Sequence, residues 1–232
     1  MLTRRQVLLA STAMGVAVNS KDALSNPAQP STPGEFLMIN EERFQPPPRL
    51  LASIMADTRK LGFMKWCWPQ VGALLRLMAS LKPGGRMVEI GTGTGVGTCW
   101  LLDGMDAAAR LTTVDIDPKV QAIARAHLGG DPRLTILSED GAALIRREPP
   151  ASIDLIFADG GAGKSTLLEE ALALLRPGGL YICDDTKPHP MWPPEHAAKI
   201  PPLMDKLAAR RDFQRLYIDW SSGVVVMVRL GA

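Results

Sequence analysis

Residues 88–97, V-E-I-G-T-G-T-G-V-G, limit what this chain can fold into more than any other stretch. A short apolar run carrying an acid, Glu89, gives way to glycines at 91, 93, 95 and 97, and residues 98–102 then have a helix-compatible pattern. That order reads as a buried strand, a tight turn and a helix start. Glycine lacks a Cβ and accepts positive φ, so such a turn lets backbone come close to a ligand. The helix that follows offers N–H groups with no partner inside the helix. The stretch is read as a cofactor loop.

Spacing narrows the cofactor. The dinucleotide fingerprint G-x-G-x-x-G needs a third glycine at position 96 when started from Gly91, and at 98 when started from Gly93; those positions hold Val96 and Thr98. What stands instead is E-x-G-x-G-x-G, which resembles motif I of the class I S-adenosylmethionine (SAM) dependent methyltransferases. The resemblance implies that Glu89 faces the methionine part of SAM, with the backbone of Gly91, Thr92, Gly93 and Gly95 running beside it.

A chain of 232 residues holds one sizeable domain and an extension rather than two full domains, and the expected division is 1–48 and 49–232. Hydrophobic content of 46% against 22% charged is enough for a core of its own. A formal charge of +2 without a block of like charges gives no nucleic-acid footprint. Cys67, Cys99 and Cys183 are too widely spaced for a zinc site or a disulfide framework, and are read as reduced thiols.

The first 18 residues, with Arg4-Arg5 before an apolar run, resemble a twin-arginine export signal whose apolar part is too short for a stable membrane span. No A-x-A cleavage site follows, and SAM is a cytosolic metabolite. The cytoplasm is therefore preferred, with export as the alternative; a later start at Met14 or Met38 is the other reading of this segment.

Residues 21–48, rich in Pro, Ser and Asn, read as an irregular lead-in. Helical spacing follows over 49–61 and 69–81, with Pro69 suited to a first helical position and Lys82-Pro83-Gly84-Gly85 as a stop. Between them Phe63 to Trp68 carries Trp66 and Trp68, read individually as packing residues; in the methyltransferase reading this region covers the cofactor and helps to form the acceptor site. Beyond the glycine loop, strands over 111–115, 134–138, 153–158 and 180–183 alternate with helices over 119–128, 142–147 and 166–175. Such alternation predicts a parallel sheet with right-handed crossovers and a ligand crevice outside the carboxyl ends of the strands. Residues 188–202 hold six prolines and read as a stiff loop with at most a short helix around His196, ahead of a helix over 203–211. Strands over 213–220 and 224–230, joined by Ser221-Ser222-Gly223, form an antiparallel hairpin. The expected fold is α/β, a Rossmann-like seven-stranded mixed sheet with helices on both faces and a C-terminal antiparallel hairpin. An inserted antiparallel seventh strand is also what the methyltransferase resemblance implies, over about residues 68–230.

Asp115 ends the second strand, where an acid accepts hydrogen bonds from ribose hydroxyls in either a nicotinamide or a SAM enzyme. Ile116 would pack on adenine, and Asp140-Gly141 falls on the adenine-side position; the alternative for each acid is a solvated loop residue or helix cap. Asp159 closes the fourth strand and Asp184-Asp185 the fifth, so these carboxylates come from adjacent strand ends. They fall on the positions that hold a divalent metal in catechol and caffeoyl-coenzyme A type O-methyltransferases, and hard oxygen ligands suit Mg²⁺, Ca²⁺ or Mn²⁺. Two departures stand out: Asp-Asp replaces the usual Asp-Asn, and the basic residue is displaced to Lys164. Without a metal, at least one of the three carboxyls should have a raised pKa or pair with Lys164 or His196. Lys164 or His196 then serves as general base, Lys164 ranking first, and Trp192 is a candidate wall of the acceptor pocket.

The resulting reading is a SAM-dependent O-methyltransferase acting on a small hydroxylated acceptor, with Mg²⁺ as an optional second cofactor; an N- or C-directed reaction stays open. The N-terminal extension and the hairpin are candidate surfaces for a homodimer. Three rivals are weighed against it. Ala158 to Ser165, A-D-G-G-A-G-K-S, imitates an NTP-binding P-loop after a strand, although Ala158 replaces its first glycine. A nicotinamide oxidoreductase suits Asp115 but not the glycine spacing. A non-catalytic SAM-binding protein suits the signal-like N-terminus.

Overall fold

The computed structural model describes residues 44–188 and 194–231. The signal-like segment, Met14, Met38, the lead-in as far as residue 43, and Trp192 lie outside the described residues.

The first two helices are α1 (Leu51–Leu61) and α2 (Pro69–Ser80). Gly62 in the left-handed region ends α1, and Pro69 opens α2 where its missing N–H costs nothing. Then follow β1 (Arg86–Ile90), α3 (Val96–Gly104), β2 (Arg110–Asp115), α4 (Pro118–Leu128), β3 (Leu134–Ser138), α5 (Gly141–Arg147), β4 (Ile153–Ala158), α6 (Leu168–Leu174), β5 (Leu175–Cys183), α7 (Pro194–Ala209), β6 (Phe213–Ile218) and β7 (Val224–Arg229). The seven strands lie in the order β3-β2-β1-β4-β5-β7-β6, with β7 antiparallel to both β5 and β6 and the first five strands parallel. The expected mixed sheet with its inserted antiparallel strand is what forms.

Side chains alternate across this sheet and build two cores. Met87, Leu111, Leu155, Phe157, Leu180 and Ile182 face α1, α2 and α3. Val88, Val114, Ile156, Ala158, Tyr181 and Cys183 face α5, α6 and α7. Trp100 of α3 is the largest fully buried side chain, and its indole lies where a Cβ on Gly72 of α2 would stand, so that glycine lets the two helices close. After β3 the chain returns to the other side of β1 to place β4. Strand order therefore reverses between β1 and β4, and a crevice opens at their carboxyl ends.

The larger differences from the sequence reading lie at three places. Helix α6 starts at Leu168, later than residue 166, because residues 161–166 fold on themselves: the amides of Ser165 and Thr166 both donate to the Gly161 carbonyl, at 2.8 and 3.1 Å. Arg176-Pro177-Gly178-Gly179 is a bulge inside β5 rather than a turn before it, since Ile153 pairs with Leu175 and Leu155 with Leu180. Most visibly, α7 runs unbroken through Pro201 and Pro202, where a loop was expected. Interior prolines cost about 3 kcal/mol or more each. Burial of Ile200, Leu203 and Leu207, one face at helical spacing, is worth about 1.5–3 kcal/mol per side chain and offsets that cost. No helix among the described residues is long and apolar enough to cross a membrane.

Candidate functional site

The crevice holds a cavity of about 370 Å³. Gly91, Thr92, Gly93, Thr94, Val96, Gly97 and Asp115 line one end, and Asp159, Lys164, Asp185 and His196 the other. Sheet hydrogen bonding carries past the strand ends and positions both: Gly91 donates to Val114 O at 2.9 Å, Asp159 to Ile90 O at 2.9 Å and Asp184 to Ala158 O at 3.2 Å. Gly91 has φ +103°, and a Cβ there would stand 2.8 Å from the Gly160 amide nitrogen, so its bare backbone is what allows the glycine loop to touch the loop after β4.

Asp115 ties the glycine loop to the end of β2. Its Oδ2 accepts from Gly93 N at 2.8 Å and its Oδ1 from Asp117 N at 3.0 Å. One oxygen thus holds the glycine loop and the other the connection into α4, while the side chain borders the cavity. Ile116 beside it is 75% exposed, an apolar side chain presented next to the cavity rather than lining it. Asp140 caps α5, accepting from Ala142 N at 2.8 Å, and is not among the residues that line the cavity. Gly141 follows as the first residue of that helix, its Cα close to Ile90 and Ala162. Gly95 packs on Ala124 of α4, and Gly97 belongs to the first turn of α3 rather than to the loop.

Glu89 is buried beneath the loop. Its Oε2 accepts from the Thr113 hydroxyl at 2.6 Å and from the Thr98 hydroxyl. Because Thr113 gives its one proton to Glu89, Thr92 must donate to Thr113, at 2.7 Å, and Thr92 in turn accepts from Gln121 Nε2 at 2.9 Å. The chain of donors points one way, toward the carboxylate. Oε1 meets no donor and lies behind Gly97, where a Cβ would come within 2.5 Å of it. Burial pushes the Glu89 carboxyl up to about 7, against the two hydroxyls that favour its charged form. The acid thus braces the loop from below and does not border the cavity. Thr98, Thr113 and Gln121 carried no sequence signal, because each is an ordinary polar residue on a helix or strand until the fold brings it to Glu89.

At the other end, Asp159, Asp184 and Asp185 each offer an oxygen within 4.8 Å of the others. Consecutive strand residues normally point to opposite faces. Asp185 adopts φ 59°, which breaks that alternation and lets both carboxylates of the pair reach one cluster. Asp184 is buried, and its Oδ1 accepts from Asp185 N at 2.7 Å and from the hydroxyl of Ser222, in the β6–β7 turn. Burial, then mutual repulsion, raises Asp159 well above the usual carboxylate range and Asp185 to about 7; burial also raises Asp184.

Lys164 is buried and donates to the Asp184 carbonyl at 3.0 Å. Burial alone would lower its pKa, but Cys183 and the carboxylates around it hold it above the ordinary value. His196, in the first turn of α7, lines the same cavity; burial and then Lys164 push its pKa down. A lysine held as a cation among acids is the poorer proton acceptor of the two. The P-loop reading also loses its geometry: Lys164 turns inward, and the amides of Gly163, Ser165 and Thr166 are spent on hydrogen bonds within their own loop. Phe63, Lys65, Trp66 and Cys67 border the cavity from the α1–α2 connection, and Lys199 does so from α7. Trp68 does not, being the residue that precedes α2.

Residues 88–186 match the family model described as a methyltransferase domain. Over that stretch, short of half its length, the chain is similar to methyltransferases. A protein of Mycobacterium sp. (strain JLS), provisionally named an O-methyltransferase, is 40% identical over 119 residues, which is 49% of this chain and 54% of that protein. One of the same provisional name from Mycolicibacterium vanbaalenii is 38% identical over 119 residues, 49% of this chain and 53% of its own. The chain thus spans about half the length of the curated relatives it matches. Among solved structures, the O-methyltransferase TomG from Streptomyces achromogenes, in complex with SAM, superposes with a TM-score of 0.72 at 21% identity over 85% of this chain and 96% of TomG. An O-methyltransferase from Bacillus cereus, in complex with SAH, gives 0.71 at 21% over 84% and 97%. Those two likenesses establish the class I methyltransferase fold, with the glycine loop and the three acids at its topological switch point.

Proposed function

We propose that this chain binds SAM and transfers its methyl group to a hydroxyl oxygen of a small acceptor. The observation that carries the reading is one cavity bordered at one end by the glycine loop with Asp115 and at the other by Asp159, Lys164, Asp185 and His196. The loop end suits the nucleoside and methionine parts: bare backbone gives close approach, Asp115 stands where ribose hydroxyls would reach it, and exposed Ile116 offers an apolar surface for adenine. Glu89 acts on this end indirectly, by bracing the loop.

The acceptor lies at the acidic end. Its oxygen attacks the methyl carbon in line with the sulfur; the C–O bond forms as the C–S bond breaks, and the sulfonium leaves as the neutral thioether S-adenosylhomocysteine. The hydroxyl proton passes to the His196 imidazole. The Lys164 cation steadies the negative charge that develops on oxygen, and Asp159 orients the hydroxyl. Little more than alignment and charge placement is asked of the protein, because the sulfonium is already activated.

Asp159, Asp184 and Asp185 also suit a divalent cation, since three hard oxygens within 4.8 Å match the spacing of ligands around Mg²⁺ or Ca²⁺. Such an ion would lower the pKa of a bound hydroxyl and fix its position. A cytoplasmic setting is supported by the cofactor, a cytosolic metabolite.

Calorimetry with SAM, NAD and ATP, followed by turnover on a panel of phenols with and without EDTA, tests the reading. SAM binding with methyl transfer to a phenol supports it. Saturable ATP or NAD binding without SAM binding would sink it.

A further inference from the structure

We infer that Lys65 and Lys199 select an acceptor with an anionic group, so that the substrate is a hydroxylated aromatic acid rather than a neutral phenol. This rests on the methyltransferase reading above and concerns the acceptor end of the same cavity.

The two lysines come from separate elements, Lys65 from the connection between α1 and α2 and Lys199 from α7, yet both border one cavity. Both are exposed at its rim, and neither makes an ion pair among the described residues. Lys199 stands three residues after His196 on the helix, the spacing that puts two side chains on one face. Lys65 reaches the same neighbourhood from across the opening. Its charge is felt by both Asp185 and His196, while burial remains the largest influence on each.

The acids nearby do not cancel this charge. Asp115 is engaged with the amides of Gly93 and Asp117, and Asp159, Asp184 and Asp185 already have Lys164 buried among them. The interior of the site is thus a crowded set of acids with its own lysine, and the rim is a pair of cations that make no ion pair among the described residues. A neutral acceptor would gain nothing from that rim. A carboxylate carried on the far side of an aromatic ring would meet both ammonium groups, with its hydroxyl directed inward to Asp159, Lys164 and His196. Half-buried Trp66, next to Lys65 in sequence, supplies apolar surface for the ring, while Phe63 lies over Gly93 of the glycine loop. Rim cations would also draw an anionic acceptor toward the opening.

The test compares 3,4-dihydroxybenzoate with 3,4-dihydroxybenzamide, nearly equal in shape and differing by one charge. The full-length protein is used, with kcat and KM measured for each acceptor and SAM affinity measured by calorimetry. The wild type should favour the acid, and the double variant Lys65→Gln with Lys199→Gln should reduce the acid-to-amide ratio of kcat/KM roughly tenfold, mainly through KM. The charge-reversal pair Lys65→Glu with Lys199→Glu should invert the preference. Because both side chains are exposed, a circular dichroism melt should show each variant folded. A wild-type ratio near one, or a ratio the substitutions do not move, overturns the inference while leaving the methyltransferase reading standing. So does a loss of SAM affinity in the Lys65 variant equal to the loss for the acid, since that lysine then serves the cofactor's own carboxylate. Absence of SAM binding in the wild type defeats both readings at once.

Discussion

Glu89 should give this protein a measurable stability cost at neutral pH, and the size of that cost follows from its burial. The carboxyl is 1% exposed, and its pKa in the fold is about 7 against an ordinary value of 4.5. Below the ordinary value the residue is protonated in both the folded and the unfolded chain, so it favours neither. Between the two values the unfolded chain gives up its proton and the fold retains it; stability falls as pH rises through this window. Above about 7 the fold must hold a buried carboxylate, and the loss is complete. A shift of about 2.5 units at ~1.4 kcal/mol per unit gives a loss of ~3 kcal/mol. The perturbation is Glu89→Gln, which keeps the shape and still accepts from Thr98 and Thr113 but does not titrate. Its amide nitrogen falls where Oε1 has no partner, which adds an offset that does not vary with pH. The comparison is therefore between slopes rather than single values. Urea denaturation of wild type and variant from pH 4 to pH 8 should give curves that diverge by ~3 kcal/mol across the window, with the wild type losing stability relative to the variant as pH rises. Parallel curves would refute the argument, and so would divergence of the opposite sign.

Asp115→Ala should weaken SAM binding by at least tenfold in calorimetry, because it removes both the ribose acceptor and the anchor of Gly93, while the melting temperature moves by only a few degrees. Gly91→Ala should lower stability by about 2–3 kcal/mol in thermal melts and weaken SAM binding as well, since the new Cβ meets the Gly160 amide at 2.8 Å on a residue with φ +103°. Millimolar Mg²⁺ or Ca²⁺ should raise the melting temperature of the wild type and leave that of Asp159→Asn unmoved, as expected when an ion binds the fold and not the unfolded chain.

Much of this architecture was legible along the chain because it is written locally. The alternation of apolar runs and helical spacing, Asp117-Pro118 opening α4, and the glycines after β1 are each decided within a few residues by propensity and turn chemistry. Helix α7 is not legible for the same reason: prolines at 201 and 202 speak against it locally, and only packing of Leu203 and Leu207 against the sheet, with burial of Ile200, outweighs them. Sequence places both Lys164 and His196 near the acids but does not say which one the loop buries among them.

What the sequence by itself determined is that a strand, a glycine turn and a helix form here, and that acids stand at the ends of the strands after them. Tertiary structure alone decided where those ends meet. Pairing β4 beside β1 and threading β7 between β5 and β6 brings Asp159, Asp184 and Ser222 together, and closing α7 and the α1–α2 connection over the crevice sets Lys199 and Lys65 at one rim. The physical reason is range: turn and helix signals act over a few residues, whereas the meeting of residues 65, 159, 184, 199 and 222 depends on strand order and buried apolar faces, which the whole chain settles at once.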